Sequence, residues 1–282
     1  KWKKLVRLLV EVQVYHWGIL WLGSRLGVCE LVGRKAHFLA FFPVITNQYW
    51  FVTAYLLVYI LSPFFNLLIG AMDQKTYRRF LAVALGLFCV IPTFFGFFYN
   101  TTESLLYYNR MIWLSIMYFL GAYIYIYMQK NEKQKENRRK YAALTLCSAA
   151  VMAVSILIID RFIGFFAAVG TTECAYFWPP NTIPMVFLSV GVFGLFRSLR
   201  LSYHPAVNAL ASTTMGVYML HDGRLVPWIW RSVFCCAAYQ DSPYLAFRIL
   251  GAAAAVFAAG AAVDLLRGAL EKHTLDRVLA RF

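Results

Sequence analysis

Charged residues are scarce in this sequence. They make up 14% of the 282 residues, whereas 61% are hydrophobic and 18% are aromatic. A soluble domain of ordinary composition carries about a quarter charged residues. Uncharged runs of 23 residues extend over 80–102 and 174–196, and about 20 apolar residues cross the hydrocarbon core of a bilayer as a helix. The scarcity of charge therefore argues against an ordinary soluble domain and predicts an all-α polytopic transmembrane helical bundle.

The sequence also lacks the motifs that mark common soluble enzymes and metal proteins. It contains no phosphate-binding loop, no zinc-protease helix and no nucleophile elbow. Its six cysteines form neither a C-x-x-C pair nor a cluster with histidine, so we predict no metal site and no bound cofactor. The net charge of +14 is divided among short basic clusters between apolar runs. That distribution argues against nucleic acid as a partner and for contact with the lipid bilayer and its anionic headgroups.

The apolar runs predict a single membrane domain, residues 1–282, with about eight spans. These spans are expected at roughly 5–24, 48–69, 80–98, 110–128, 142–159, 181–199, 207–221 and 243–265. If the N-terminus is placed inside, 19 of the 27 lysines and arginines fall on the inner side or at its boundary. Because basic residues are retained on the cytoplasmic side, the pattern favours cytoplasmic N- and C-termini. Small residues around Gly251 and Gly260 predict close helix packing in the last span.

Polar side chains at membrane depth are costly, and each is therefore a candidate for function. His16 lies near the middle of the first predicted span, as either a base or ligand in a cavity or a histidine hydrogen-bonded to a neighbouring helix. His221 closes the seventh span and is followed by Asp222. A histidine beside a carboxylate can accept a proton in catalysis. At a helix end, such a pair can equally cap the helix or face water.

Two further groups of polar residues lie at the predicted ends of spans. Gln48 and Trp50 open the second span at the outer face, where tryptophan commonly anchors a helix. Lys4 and Arg7 lie one turn apart at the inner end of the first span and project together. Such a basic pair either holds phosphate groups or is ordinary positive charge on the cytoplasmic side.

Three stretches of the chain, taken together, resemble the acyltransferase 3 family of integral membrane acyltransferases. A tryptophan that leads into tyrosine and then Ser-Pro is found in residues 47–66 (NQYWFVTAYLLVYILSPFFN). A span with Leu-Gly-Ala-Tyr near its end is found in residues 113–124 (WLSIMYFLGAYI). A helix that closes on histidine is found in residues 212–222 (STTMGVYMLHD). Their order and spacing extend the resemblance over essentially the whole chain.

The resemblance implies ten spans for a full family member, with acyl-CoA as a cytoplasmic co-substrate and an acceptor on the far side, often an envelope sugar. Against the family pattern, the chain is expected to begin at the third span, without the first two spans and their active-site histidine. Lys4 and Arg7 match the family's basic pair, which is thought to meet the donor's phosphates. Trp50 matches the family's tryptophan, and Tyr55 stands where many members carry a carboxylate.

These expectations combine into one hypothesis and its alternatives. The chain is predicted to move an acyl group such as acetyl from acyl-CoA to a hydroxyl of a cell-envelope carbohydrate, in a bacterial plasma membrane. Lys4 and Arg7 would bind the donor, and His221 would accept the proton. The residues expected near the acceptor are Gln48, Trp50, Tyr55, His16 and Asp222. The alternatives are a membrane transport or substrate-binding module without covalent chemistry, and an inactive fragment.

Overall fold

The structure is a computed structural model, and every regular element in the part of the chain that it describes is helical. The described residues are 2–29, 31, 33–96, 108–127, 134–168, 174–199, 202–239 and 241–273. The α-helices are α1 (Trp2–Arg25), α2 (Arg34–Leu39), α3 (Trp50–Ala71), α4 (Gln74–Leu85), α5 (Ile91–Phe95), α6 (Arg110–Tyr127), α7 (Gln134–Arg161), α8 (Ile163–Ala168), α9 (Ile183–Ser198), α10 (Pro205–Ser212), α11 (Thr214–His221), α12 (Val226–Trp228) and α13 (Leu245–His273). The all-α prediction is confirmed for these residues.

The chain forms two compact units. The first contains Lys1–Thr53 and Ser202–Phe282, and the second contains Ala54–Leu201. Helix α3 begins in the first unit and continues in the second.

Helices that can cross a membrane account for most of the described chain. Six segments are long and apolar enough: Lys3–Arg25, Trp50–Ala71, Gln74–Phe95, Arg110–Tyr127, Arg138–Arg161 and Leu245–Glu271. Each overlaps one of the predicted spans. The prediction of an integral membrane protein is therefore confirmed, whereas the predicted number of eight spans is not.

The two other predicted spans are shorter in the structure. The stretch 181–199 contains α9, which has 16 residues, and the stretch 207–221 is divided between α10 and α11, of eight residues each. The division falls at Thr213. The hydroxyls of Ser212, Thr213 and Thr214 each donate to the carbonyl three residues earlier. Such local bonds compete with the regular hydrogen bonds of a helix and bend it.

One face of α1 organises the core of the first unit. Val12, Tyr15 and Ile19 recur at intervals of three and four residues, which places them on the same side of the helix. They pack against buried side chains near the start of α3 and from the segment that follows α10: Tyr49, Val52, Met219 and Leu225. The beginning of α3 and helix α11 are thereby held against α1.

Helix α11 lies close to α13 because α13 has a glycine at the contact. A Cβ placed on Gly260 would lie 3.2 Å from the Cα of Val217, so a larger residue there would press on the backbone of α11. The predicted role of small residues in close packing is confirmed at this position. At Gly251 a Cβ would meet no atom within 4 Å, so the described part of the chain shows no such role there.

In the second unit, the span Gln74–Phe95 contains a turn of π helix at Gly86–Val90. Side chains supply hydrogen bonds around this irregular turn. The amide of Asn181 donates to the carbonyl of Phe88 at 3.2 Å, and the hydroxyl of Thr93 donates to the carbonyl of Cys89 at 2.7 Å. Non-standard backbone at membrane depth is tolerated when its polar groups find such partners.

Helices α7 and α9 pack through glycines of α9. A Cβ placed on Gly191 would lie 2.9 Å from the backbone nitrogen of Thr145 and 3.2 Å from its Cα. Gly194 lies in the same way against the ring of Tyr141. A backbone cannot move aside as a flexible side chain can, so Gly191 is the position at which the approach of the two helices is most constrained.

We expect Gly191→Ala to lower the free energy of unfolding by about 1–3 kcal/mol, because the new methyl group overpacks the contact between α7 and α9. The matched control is Gly121→Ala in α6, where a Cβ would meet nothing within 4 Å. That variant should be neutral or stabilising by up to about 1 kcal/mol, since alanine forms helix better than glycine. Thermal unfolding of the purified protein in lipid nanodiscs measures both. Equal effects of the two substitutions would contradict this account of the packing.

Candidate functional site

Polar side chains of the first unit gather in two clusters. The first, which we call the histidine cluster, contains His16 of α1, Gln48 and Tyr49 just before α3, and Asp222 and Arg224 just after α11. Three segments that are far apart in the sequence thus contribute to one polar site within the first unit.

Tyr49 is at the centre of the histidine cluster. Its ring lies edge-on to the ring of His16, with 6.0 Å between the ring centroids. Burial raises the pKa of Tyr49, an effect that nearby Arg224 opposes and nearby Asp222 reinforces. The phenol therefore remains uncharged at neutral pH. Arg224 is itself held in place, because its Nε donates to Oε1 of Gln48 at 3.2 Å.

Gly223 lies between Asp222 and Arg224, and its lack of a side chain allows this turn to pack closely at the site. A Cβ placed on Gly223 would lie 3.4 Å from Cδ1 of Ile19 and 3.8 Å from Cε1 of Tyr49. Ile19 is one helical turn beyond His16 and therefore lies on the same side of α1. The turn that carries Asp222 and Arg224 consequently packs on the His16 side of α1.

Two buried atoms of the histidine cluster have unused hydrogen-bonding capacity. His16 is only 3% exposed, and its Nε2 has no hydrogen-bond partner among the residues that the structure describes. Oδ2 of the half-buried Asp222 is likewise a buried atom that has no hydrogen-bond partner among these residues. Each unsatisfied buried polar atom costs about 1–3 kcal/mol. Native proteins contain few such atoms, and those that persist call for an explanation such as a bound water or a catalytic role.

His221 is oriented by its own helix. Its Nδ1 lies 3.0 Å from the carbonyl oxygen of Val217. A carbonyl oxygen can only accept a hydrogen bond, so Nδ1 must carry the proton and donate it. In the neutral imidazole, Nε2 then carries the lone pair. The sequence suggested a partnership between His221 and Asp222, but the ring is aligned by a backbone carbonyl.

Tyr218 connects α11 to the start of α3. Its hydroxyl accepts a hydrogen bond from the backbone N–H of Phe51 at 3.1 Å, a first-turn donor that has no acceptor inside its own helix. The ring of Phe51 lies 5.9 Å from the half-buried Trp50. Tyr55 belongs instead to the second unit, where it is exposed and stacks on Tyr59. The first unit thus contains Trp50 but not Tyr55.

The second cluster, which we call the Arg267 network, joins α1 to α13. Arg267 forms ion pairs with Oε1 of Glu11 and with Oδ1 of Asp264, both at 2.8 Å. It also pairs with Glu271, and Oε2 of Glu271 lies 3.7 Å from Nε of Arg7. The side chains of Arg267 and the three carboxylates are at most 15% exposed. Three carboxylates thus face two arginines, which leaves an excess of negative charge.

Helix α11 packs against this network at Gly216. The hydroxyl of Tyr15 donates to the same Oδ1 of Asp264 that pairs with Arg267. A Cβ placed on Gly216 would collide with both the Tyr15 hydroxyl and the Asp264 carboxylate. Gly216 belongs to the stretch 212–222, so one glycine of that motif is explained by the space that the ion pairs require.

A cavity of about 470 Å³ opens beside the Arg267 network. Its polar lining includes Arg7, Glu11, Asp264 and Arg267. Because carboxylates outnumber arginines in the network, an anion is repelled from its interior. Arg7 is 46% exposed, and Lys4, one turn away, is also exposed. An anionic group is therefore more readily bound at the exposed ends of Lys4 and Arg7 than within the cavity.

Sequence reasoning singled out neither the buried members of the Arg267 network nor Arg224. A signal was present in the spacing, since Glu11 follows Arg7 by four residues, Arg267 follows Asp264 by three and Glu271 follows Arg267 by four. Charges at such intervals share a helix face, and charges near the ends of apolar runs are candidates by default. The pairing itself joins residues about 250 positions apart, which no local pattern predicts.

The chain matches the model of a known protein family. The family model described as an acyltransferase domain matches residues 2–264, a range that includes all of the histidine cluster. No curated protein and no solved structure matches the chain. Within the described part of the chain, no three His, Cys, Asp or Glu side chains are placed to hold a metal ion.

We expect Arg267→Met to destabilise the protein by about 3–5 kcal/mol, because it leaves three buried carboxylates without their main partner. The control is Arg231→Met, which removes an exposed arginine of the same unit and should change the unfolding temperature little. Adding Glu11→Gln to Arg267→Met should recover part of the loss, since one uncompensated charge is removed. Unfolding in nanodiscs measures all three variants. A small effect of Arg267→Met would show that the ion pairs do not hold α1 to α13.

Proposed function

The chain belongs to the acyltransferase 3 family, and on this basis we propose that it transfers an acyl group, in the simplest case acetyl, from cytoplasmic acyl-CoA to a hydroxyl of a cell-envelope carbohydrate. The observation that carries the proposal is the match of the family model to residues 2–264. Membership of the family accounts for acyl transfer at a membrane in general. The donor, the acyl group and the acceptor are what the proposal adds.

The proposed reaction uses His221 as its base. Nε2 of His221 accepts the proton of the acceptor hydroxyl while the hydroxyl oxygen attacks the thioester carbonyl. Fixed dipoles stabilise the negative charge of the tetrahedral intermediate. The intermediate then loses the thiolate of CoA as the carbon–sulfur bond breaks, and His221 returns the proton to that sulfur. The hydrogen bond from Nδ1 to Val217 supports this role because it keeps the lone pair on Nε2.

We place the exposed ends of Lys4 and Arg7 on the cytoplasmic side and the histidine cluster toward the other side. His16 follows Arg7 by nine residues, which is roughly 14 Å along a helix. Ion pairs join α1 near its beginning to α13 near its end, which supports a common side for these two helix ends. Acyl-CoA would then approach Lys4 and Arg7, and the carbohydrate would approach Gln48, Trp50 and His221.

We expect the purified protein to transfer radiolabel from acetyl-CoA to an envelope carbohydrate, and His221→Ala to lower kcat by about 10²- to 10⁴-fold, the usual contribution of a general base. His204→Ala is the matched control, since His204 is exposed just before α10. It should retain wild-type activity. The absence of transfer to any acceptor would remove the proposed function, whereas full activity of His221→Ala would remove only the assigned base.

Replacing Lys4 and Arg7 together by alanine should raise the KM for acetyl-CoA by about tenfold or more, because charge-assisted contacts to the donor's phosphates are lost. In sealed vesicles, the wild-type protein should use acetyl-CoA only from the side that Lys4 and Arg7 face. The matched control is the double variant Arg34→Ala, Lys35→Ala, which removes another exposed basic pair of the first unit. An equal rise in KM for both double variants would indicate a general charge effect and exclude a donor site.

A further inference from the structure

We propose that the cavity beside the Arg267 network binds the primary ammonium group of an ethanolamine phospholipid. Glu11, Asp264 and Ser212 line this cavity, and their oxygen atoms accept hydrogen bonds from the N–H groups of the ammonium. The inference concerns the ion-paired part of the first unit and does not depend on the proposed acyl transfer.

The two carboxylates at the cavity are close neighbours, and each has a second oxygen atom to offer. Nε and Nη2 of Arg267 lie 2.8 Å from Oδ1 of Asp264 and from Oε1 of Glu11, respectively. The hydroxyl of Tyr15 also bonds to Oδ1 of Asp264. The contacts that the two carboxylates make with described residues therefore leave Oδ2 of Asp264 and Oε2 of Glu11 to another donor.

The second oxygen of Asp264 can be reached only from the cavity. Asp264 is 5% exposed, and it lines the cavity together with Glu11. Unlike Nε2 of His16, neither Oδ2 of Asp264 nor Oε2 of Glu11 is a sealed atom without a partner. A charged oxygen in so small an opening has little access to water, so a ligand that donates a hydrogen bond there replaces what the oxygen lacks.

The charge of the network favours a cation in the cavity. Three carboxylates face two arginines there, so a positive group is attracted. No three His, Cys, Asp or Glu side chains of the described chain are placed to hold a metal ion. A primary ammonium group needs only acceptors for its three N–H groups. The hydroxyl of Ser212 donates to the carbonyl of Ala209, so its oxygen remains an acceptor beside the two carboxylates.

The depth of the cavity indicates a lipid as the source of the ammonium group. The span Leu245–Glu271 has 27 residues, about 40 Å of helix, which is close to the thickness of a bilayer with its headgroups. Asp264 precedes the end of this span by seven residues, or roughly 10 Å. The cavity therefore lies near the boundary between the headgroups and the hydrocarbon.

The walls of the cavity also suit a lipid. Met215, Leu265 and Ala269 line it, and Leu265 is 48% exposed, so an acyl chain can continue from the headgroup along α13. Arg7 lines the same cavity and is 46% exposed, which places a guanidinium where the phosphate of the headgroup emerges. Since the proposed function assigns Arg7 to the acyl donor, lipid and donor would compete at this residue.

The test measures which lipid the purified protein retains. The protein is placed in nanodiscs that contain phosphatidylethanolamine, phosphatidylcholine and phosphatidylglycerol in equal amounts with the same acyl chains, and the retained lipids are identified by native mass spectrometry. We expect phosphatidylethanolamine to be retained about tenfold or more over phosphatidylcholine, whose headgroup has no N–H to donate. Equal retention of these two lipids would overturn the proposal. Preferential retention of phosphatidylglycerol would overturn it as well, because the site would then attract anions.

Gly268→Leu fills the cavity and leaves the ion pairs intact. Gly268 lines the cavity, and a Cβ placed on it would meet no atom within 4 Å, so the variant should fold and lose the preference for phosphatidylethanolamine. The matched control is Gly251→Leu in the same helix, where a Cβ would also meet no atom within 4 Å. It should keep the preference. Loss of the preference in both variants, or in neither, would contradict the assignment to this cavity.

Glu11→Gln removes one charge and nearly preserves the shape of the side chain, so it should reduce the preference about tenfold. Asp241→Asn, which alters an exposed acidic residue of the same unit, should have no effect, and equal effects of the two would refute the role of Glu11. Soluble ethanolamine should not displace the bound lipid, since it has no acyl chain. Displacement at an equal concentration would exclude a lipid as the ligand. No assay here contains acyl-CoA, so these outcomes are separate from the transfer assay.

Discussion

The ion pairs of Arg267 are the interaction on which the arrangement of the first unit depends. A guanidinium and three carboxylates are tolerated inside a helical membrane protein only when they are paired, and here α1 and α13 must lie together for the pairing to occur. Tyr15, one turn after Glu11, bonds to Asp264 as well. Contacts at two successive turns define both the rotation of α1 and its position along α13. Apolar packing alone would define them less strictly, because an apolar helix face is as compatible with lipid tails as with another helix.

This rotation of α1 has a consequence for the histidine cluster. Tyr15 faces the Arg267 network, and the next residue, His16, is therefore turned by about 100° toward Tyr49. Helix α11 passes the network at Gly216 and ends at His221. The same helices thus carry both the Arg267 network and residues of the histidine cluster, so the position of the cluster depends on ion pairs outside it.

The helices could be predicted from the sequence where long apolar runs determine them. The site residues could be predicted only where a polar residue lies in or beside such a run. Six apolar runs are helices that can cross a membrane, but the stretch 207–221 divides at Thr213 because hydroxyl groups hydrogen-bond locally, which an average of hydropathy does not include. His16, Gln48 and Asp222 could be proposed because they are polar near membrane depth, whereas Arg224 belongs to the site only through a tertiary contact with Gln48. The role of Lys4 and Arg7 in binding the acyl donor stays a prediction.

The two clusters differ in how completely their polar groups are paired. In the Arg267 network each charge has a partner, and Oε2 of Glu271, which accepts no hydrogen bond among the described residues, still lies 3.7 Å from the guanidinium of Arg7. Structural polar groups in a membrane protein are expected to be satisfied in this way. Nε2 of His16 has no such partner within the described chain, although an apolar side chain at that position would pack without an unsatisfied atom. His16 therefore carries a cost of about 1–3 kcal/mol that the paired groups of the Arg267 network do not.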